Sequence, residues 1–245
     1  MFKCCQIICR VKNIKEVVGD LEKAGFSVQW GSVPQKAKNA FLWFEHGPFI
    51  EFFSISPRWA YLSVPIGLFY GKAAGKRLAY WARHPEGWCD IALEPKKEKR
   101  GDNPDQCVAI QNDLESIKAA VTRAGIPTSR IIQGQRTRPD GLKVKFSFMA
   151  TEPIGLPFLA SPYDPPQHPE KIEHPNGATG IEWVKVAVEE THYDQFITLT
   201  QKDKWIKPEL ASQTRVLEVG LSGIKSELDA KYLHGAVFAV GSDNK

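Results

Sequence analysis

The sequence predicts an α+β fold built from repeated modules, on three observations. A strand, an amphipathic helix, an Ala-Gly pair and further strands recur in one order. The first copy opens with Cys5-Gln6-Ile7-Ile8-Cys9-Arg10-Val11, and its helix ends at Lys23-Ala24-Gly25-Phe26. The second opens with Trp88-Cys89-Asp90-Ile91-Ala92-Leu93, and its helix ends at Arg123-Ala124-Gly125-Ile126. A third strand and helix follow at Trp183–Val188 and Tyr193–Leu199. An internal repeat sets architecture before any single residue does. It also places a site across the joined sheets, where equivalent strands from different copies face each other.

Each element has a local cause. In the first strand Ile7, Cys9 and Val11 fall on one face and Gln6, Ile8 and Arg10 on the other. Asn13 can cap the next helix, with Glu16 three residues on, and Val17, Val18, Leu21 and Ala24 form its apolar stripe. Gly25 stops it. Phe26–Trp30 resumes as strand. Asn39–Glu45 and Phe49–Ile55 read as a hairpin joined at His46-Gly47-Pro48. Residues 57–86 form a bridge with a helix at Lys72–Arg83. In the second copy, a polar insertion from Glu94 to Asp113 precedes the helix Leu114–Ala124. Pro139-Asp140-Gly141 turns into the strand Leu142–Met149, and Leu156–Ala160 ends the copy. A proline-rich connector then leads to a shorter third copy with later strands at Val216–Leu221 and Ala236–Val240. The expected units are therefore residues 1–56, a bridge 57–86, 87–163, a connector 164–179, and 180–245.

Composition narrows the function classes. The chain has 245 residues, 42% hydrophobic and 24% charged, with net charge +4. That suits a packed globular protein. The start Met1-Phe2-Lys3-Cys4 enters a strand with no long apolar run, which predicts no secretory signal. Val64–Tyr70 is too short to span a bilayer. Five cysteines, three of them at expected buried strand positions, predict free thiols in a reducing cytoplasm and not a disulfide framework. Alternation is expected to turn Cys4 away from Cys5 and Cys9, which argues against a metal knuckle. The basic run Lys96-Lys97-Glu98-Lys99-Arg100 lacks interleaved aromatics, so neither nucleic acid nor membrane is an expected partner.

Several phrases, in order along the chain, carry a family resemblance. They are Val11-Lys12-Asn13-Ile14, Ala24-Gly25-Phe26, Phe49-Ile50-Glu51, Gly87-Trp88-Cys89-Asp90, Arg136-Thr137-Arg138-Pro139-Asp140-Gly141, Leu156-Pro157-Phe158 and His174-Pro175-Asn176-Gly177-Ala178. The ordered set resembles the glyoxalase-like domain family of the vicinal oxygen chelate superfamily. The resemblance implies repeated βαβββ modules forming a curved mixed sheet around a cup. It also implies a divalent-metal site with one ligand from the first strand and one from the last strand of each paired module. Carried over residue by residue, the first module supplies Gln6 and Glu51. The second supplies Asp90, and at the last-strand position Ala160, or Ser161 if the register slips by one.

Gln6, Glu51 and Asp90 are three oxygen ligands without an imidazole, a set better suited to magnesium, manganese or calcium than to zinc. Arg10, on the same strand face as Gln6, could instead neutralise Glu51. The expectation is no tightly bound cofactor, with a weakly bound divalent metal on these three residues as the alternative. Glu51 and Asp90 are the candidate catalytic residues. Gln6, Arg10, Phe49, Trp88, Arg136 and Phe158 are the candidate substrate-binding residues. Arg136 and Arg138 share a strand face and suit a carboxylate or phosphate, or else are surface charges near Asp140. His174 and His84, each before a proline, read as turn residues.

The expected function is a glyoxalase-like protein that binds a small organic molecule in the cup and, if catalytic, is a lyase or isomerase with a degenerate metal site. The alternatives are a metal-free binding or sequestering protein and a regulatory interaction module. A homodimer is a possible assembly.

Overall fold

The computed structural model describes residues 2–96, 114–200, 203–225 and 227–241. Most of the insertion expected from Glu94 to Asp113, with four residues of the basic run and Cys107, lies outside the described residues.

The first module runs β1 (Phe2–Val11), α1 (Ile14–Lys23), β2 (Gln29–Trp30), β3 (Asn39–Leu42) and β4 (Phe49–Ser54). The Asn13 side chain accepts from the Lys15 amide and caps α1. Gly25 takes φ +81° past its last turn, and the Phe26 amide returns to the Leu21 carbonyl. The second module repeats this with β5 (Gly87–Pro95), α4 (Leu114–Arg123), β6 (Ile132–Thr137), β7 (Lys143–Met149) and β8 (Phe158–Ala160). Gly125 at φ +76° and the Ile126 amide on the Val121 carbonyl form the same helix stop.

In both modules the first strand pairs parallel with the last, and β1 pairs antiparallel with β5. One curled sheet results, in the order β2-β3-β4-β1-β5-β8-β7-β6. Ile7 faces Ile91 at its centre, so a local two-fold there maps Gln6 onto Asp90 and Ile8 onto Ala92. The predicted hairpin forms with a shorter β3. Beyond Leu42 the chain leaves the ladder, and Glu45 and His46 bond Thr179 and Ile181 instead.

The third unit comprises β9 (Gly180–Glu189), α5 (Tyr193–Thr200), β10 (Ile206–Ala211), β11 (Arg215–Ser222) and β12 (Phe238–Val240). Its sheet has the order β10-β9-β11-β12. Here the first strand pairs parallel with the strand directly after the helix, unlike the two modules. Among the described residues β10 is an edge strand, where Pro208 removes no required ladder bond.

Packing separates the two faces of the large sheet. Ile7, Cys9, Val11 and Ile91 join α1, α4 and the third unit in one core on the outer face. Ile8, Cys89, Ala92 and Phe158 form a smaller cluster on the inner face, against Tyr80 and Trp81. Those two aromatics belong to the bridge. It consists of a 3-10 turn Pro57–Leu62, α2 (Ser63–Tyr70) and α3 (Lys72–Arg83), and α3 lies inside the cup. The glycines at four-residue spacing bring the bridge helices together. A Cβ on Gly75 would meet the Ser63 carbonyl at 2.2 Å and the Gly67 backbone at 3.0 Å. Gly71, at φ +102°, turns the chain between the helices. α2 buries no residue, and Trp59, Tyr61, Val64, Leu68 and Phe69 are exposed along this stretch. Among the described residues no helix is long and apolar enough to cross a membrane.

Candidate functional site

A cavity of about 300 Å³ lies in the cup between the first and second modules, lined by residues of both and of the bridge. Its polar floor is Gln6 from β1, Asn39 from β3 and Glu51 from β4. The Gln6 Nε2 and Asn39 Nδ2 groups donate to separate oxygens of the Glu51 carboxylate, the latter at 2.8 Å. Burial pushes the Glu51 carboxyl above its usual range, opposed by the Asn39 amide, the Arg136 guanidinium and the Gln6 amide. The remaining wall is aromatic: Phe49, Phe53, Trp59, Trp81, Phe146, Phe148, Phe158 and Tyr163. Arg136 enters from β6, stacked 4.7 Å from the Phe41 ring centre and 5.4 Å from that of Tyr163. It donates to the Gly31 carbonyl at 2.9 Å. Arg138 turns instead to Asp140, at 2.8 Å.

Asp90, on the second module's inner face, is covered. Arg77 of α3, 1% exposed, ion-pairs with Asp90 at 2.5 Å. Its other amino group donates to the Thr151 hydroxyl at 3.1 Å and to the carbonyls of Ile154 and Leu156. The Trp81 indole N–H donates to the same Asp90 oxygen at 2.7 Å. Burial pushes the Asp90 carboxyl up, against the opposing pull of Arg77, Trp81 and the Ile91 amide.

Residues 7–200 match the family model described as a glyoxalase-like domain. The chain belongs to this family. A structure of a hypothetical protein from Staphylococcus aureus is similar over 97% of this chain and 98% of its own, with TM-score 0.64 and 12% identity. A Mn(II)-bound glyoxalase from Novosphingobium aromaticivorans is similar over 90% of this chain and 65% of its own, with TM-score 0.47 and 12% identity. An extradiol ring-cleaving dioxygenase from B. fuscum is similar over 91% and 57%, with TM-score 0.42 and 8% identity. No curated protein matches the chain.

In this glyoxalase-like chain the superfamily positions fall as follows. Gln6 and Glu51 share the inner face of the first module. Glu51 pairs with Ile8, and the local two-fold maps Ile8 onto Ala92, which pairs with Phe158. The second module's equivalent of Glu51 is therefore Phe158, which corrects the expected Ala160. Asp90 is on the inner face but under α3, away from the cavity lining. Arg10 does not pair with Glu51. It donates to the Ile55 carbonyl at 3.4 Å and lines a neighbouring groove.

Trp88 leaves the cup altogether. A β-bulge at Cys89 interrupts the β1–β5 register between Asp90 and Trp88, so Cys89 takes the inner face and Trp88 the outer. There Trp88 is 6% exposed, and its indole donates to the Val237 carbonyl at 3.0 Å. A second bulge, at Cys5, gives Cys5 the inner face beside Gln6 and leaves Cys4 with Cys9 in the outer core. The expected separation of Cys4 from Cys9 is thus reversed. The four described cysteines are unpaired, and burial pushes the Cys5 thiol up, away from thiolate chemistry.

His174 is structural. Its Nδ1 accepts from the Ser27 amide at 3.0 Å, and its Nε2 lies 2.9 Å from the Trp43 carbonyl. Asn176 beside it caps α1 by donating to the Ala24 carbonyl. The His84 ring lies 2.9 Å from the carbonyl of the following Pro85, and its amide closes α3 on the Tyr80 carbonyl. Arg77 was not among the expected site residues. Its signal is an arginine on the helical stripe that also holds Ala73, Ala74 and Trp81. Asn39 and Tyr163 gave no sequence signal of their own.

Proposed function

We propose that this chain binds a small, largely apolar organic molecule in the cavity between the two modules, without a divalent metal, and that Glu51 is the group that meets its polar atom. The carrying observation is the asymmetry of the cup. The first module's carboxylate, Glu51, lies on the wall of the aromatic cavity, while the second module's, Asp90, is covered by Arg77 and does not line it. The volume and lining match small-ligand sites, with a mostly apolar wall and a few converging polar groups.

The donor set does not fit a divalent ion. Gln6 and Glu51 bond each other, Asp90 is held by a guanidinium, and Phe158 offers no donor atom. A catalytic metal usually needs three protein ligands. Among the described residues, no three His, Cys, Asp or Glu side chains are grouped for one.

A second reading is supported by the raised Glu51 carboxyl together with Arg136. In it, Glu51 takes a proton from a carbon beside a carbonyl, and Arg136 stabilises the oxygen that gains charge. This would be lyase or isomerase chemistry without a metal.

The test is calorimetric titration of purified protein with small aromatic and aliphatic carbonyl compounds, before and after chelator treatment, with elemental analysis alongside. Binding that survives the chelator and weakens in Glu51→Gln supports the proposal. Near-stoichiometric metal that is lost in Glu51→Ala would overturn its metal-free part.

A further inference from the structure

We propose that the open groove beside the cup holds an anionic group of the same ligand, which makes that ligand an amphiphilic anion: an apolar body bearing one carboxylate or phosphate. This rests on the cavity reading above. The groove, about 1010 Å³, adjoins the cavity, and the two share Asn39, Glu51, Phe53, Ile55 and Trp59 as walls. A molecule seated on the aromatic wall therefore has an exit into the groove past Phe53 and Trp59.

The groove is built for negative charge. Arg10 lines it and is 6% exposed. Its Nε makes no hydrogen bond, and among the described residues no carboxylate lies within ion-pair distance of it. A buried guanidinium without a counter-charge is costly unless a partner arrives. Lys38 and Arg83 stand exposed at the rim. Lys12 also lines the groove but is held by Glu86 at 3.1 Å. Glu51 is the acid on the shared wall; Gln6 and Asn39 each donate to one of its oxygens, which offsets its charge and leaves a lone pair on each for the ligand's polar atom. Guanidinium favours bidentate contact with carboxylate and phosphate alike, so the shared chemistry is an oxyanion.

The experiment titrates the full chain calorimetrically with octanoate, octyl phosphate and octan-1-ol. These probes share one apolar body and differ in the head group. The expected result is that one or both anions bind at least about tenfold more tightly than the alcohol, as one desolvated charge-assisted contact implies. Whichever anion is favoured separates a carboxylate ligand from a phosphate one. Arg10→Met, which keeps the chain's bulk, should erase the preference, and Arg10→Lys should keep part of it. Should Arg10→Met fail to fold, Lys38→Gln combined with Arg83→Gln should still lower the preference severalfold, and added salt should weaken anion binding alone. Equal affinity for all three probes would overturn the groove inference and leave the cavity reading intact. Failure of all three to bind would overturn the cavity reading and the groove inference with it. An anion preference unchanged by both sets of variants would also overturn the groove assignment.

Discussion

In the first module, Gln6 on β1 and Glu51 on β4 face an aromatic cavity. At the equivalent positions of the second module, Asp90 on β5 lies beneath Arg77 and Trp81 of α3, and Phe158 on β8 lines the same cavity without a polar atom. The two-fold at Ile7 and Ile91 makes these positions equivalent, so the backbone does not explain the difference. The inserted helix does. α3 reaches into the cup and supplies a cation, Arg77, that pairs with Asp90 but not with Glu51. A buried charge pair persists only when its remaining donors are satisfied. Thr151, Ile154 and Leu156 satisfy all but the Nε of Arg77. One module thus carries a structural ion pair, and the other keeps the carboxylate that can still meet a ligand.

The comparison breaks most visibly at Arg77. Arg77→Leu should destabilise the fold by about 3–5 kcal/mol, because Asp90 is left buried without its counter-charge. Adding Asp90→Leu should recover most of that loss in urea denaturation. If the double variant stays as unstable as the single one, Arg77 acts through packing and not through its charge partner.

Trp88 sharpens the division between inner and outer face. Trp88→Phe removes one of two hydrogen bonds to the Val237 carbonyl, which keeps the Val219 amide, and leaves a smaller ring in the core, so it should cost about 1–2 kcal/mol. Ligand affinity should not change, since the indole faces the third unit. A loss of affinity would show that the two faces are coupled.

Glu51 tests the cavity. Glu51→Gln should weaken ligand binding by about tenfold, the scale of one good hydrogen bond to a charged group. Its pH signature has a definite sign. The folded-state pKa is raised, so below the ordinary value of 4.5 both states hold the proton and Glu51 has no effect on stability. As pH rises through 4.5 towards the folded pKa, the unfolded chain releases its proton first and stability falls. Wild type should therefore lose stability relative to Glu51→Gln across that window, as read by chemical denaturation at a series of pH values. A gain of wild type over the variant would mean that the carboxylate is stabilised in the fold.

The smallest effect belongs to α2. Leu68→Glu should change stability by no more than about 0.5 kcal/mol, because the side chain is exposed on a helix that buries nothing. A larger loss would show that α2 braces α3 in the cup through more than its glycine contact.

Much of this architecture is legible in the sequence because its signals are local. The Ala24-Gly25 and Ala124-Gly125 stops, the Asn13 cap and the alternation of Ile7, Cys9 and Val11 act within a few residues. They identify the modules and place Gln6 and Glu51 on one face. Tertiary pairing decided the rest. Whether Trp88 or Cys89 faces the cup depends on a bulge against β1, and a one-residue shift in register reverses every later side chain. That Asp90 is consumed by Arg77 depends on where a helix from the bridge comes to rest. The glycines that seat it are visible in the chain, but the groove that receives it exists only once both modules have closed. Residue type and period therefore determined which side chains were available to the cup. Register and the docking of α3 determined which of its carboxylates faces the cavity, because both are set by contacts between residues far apart in the chain.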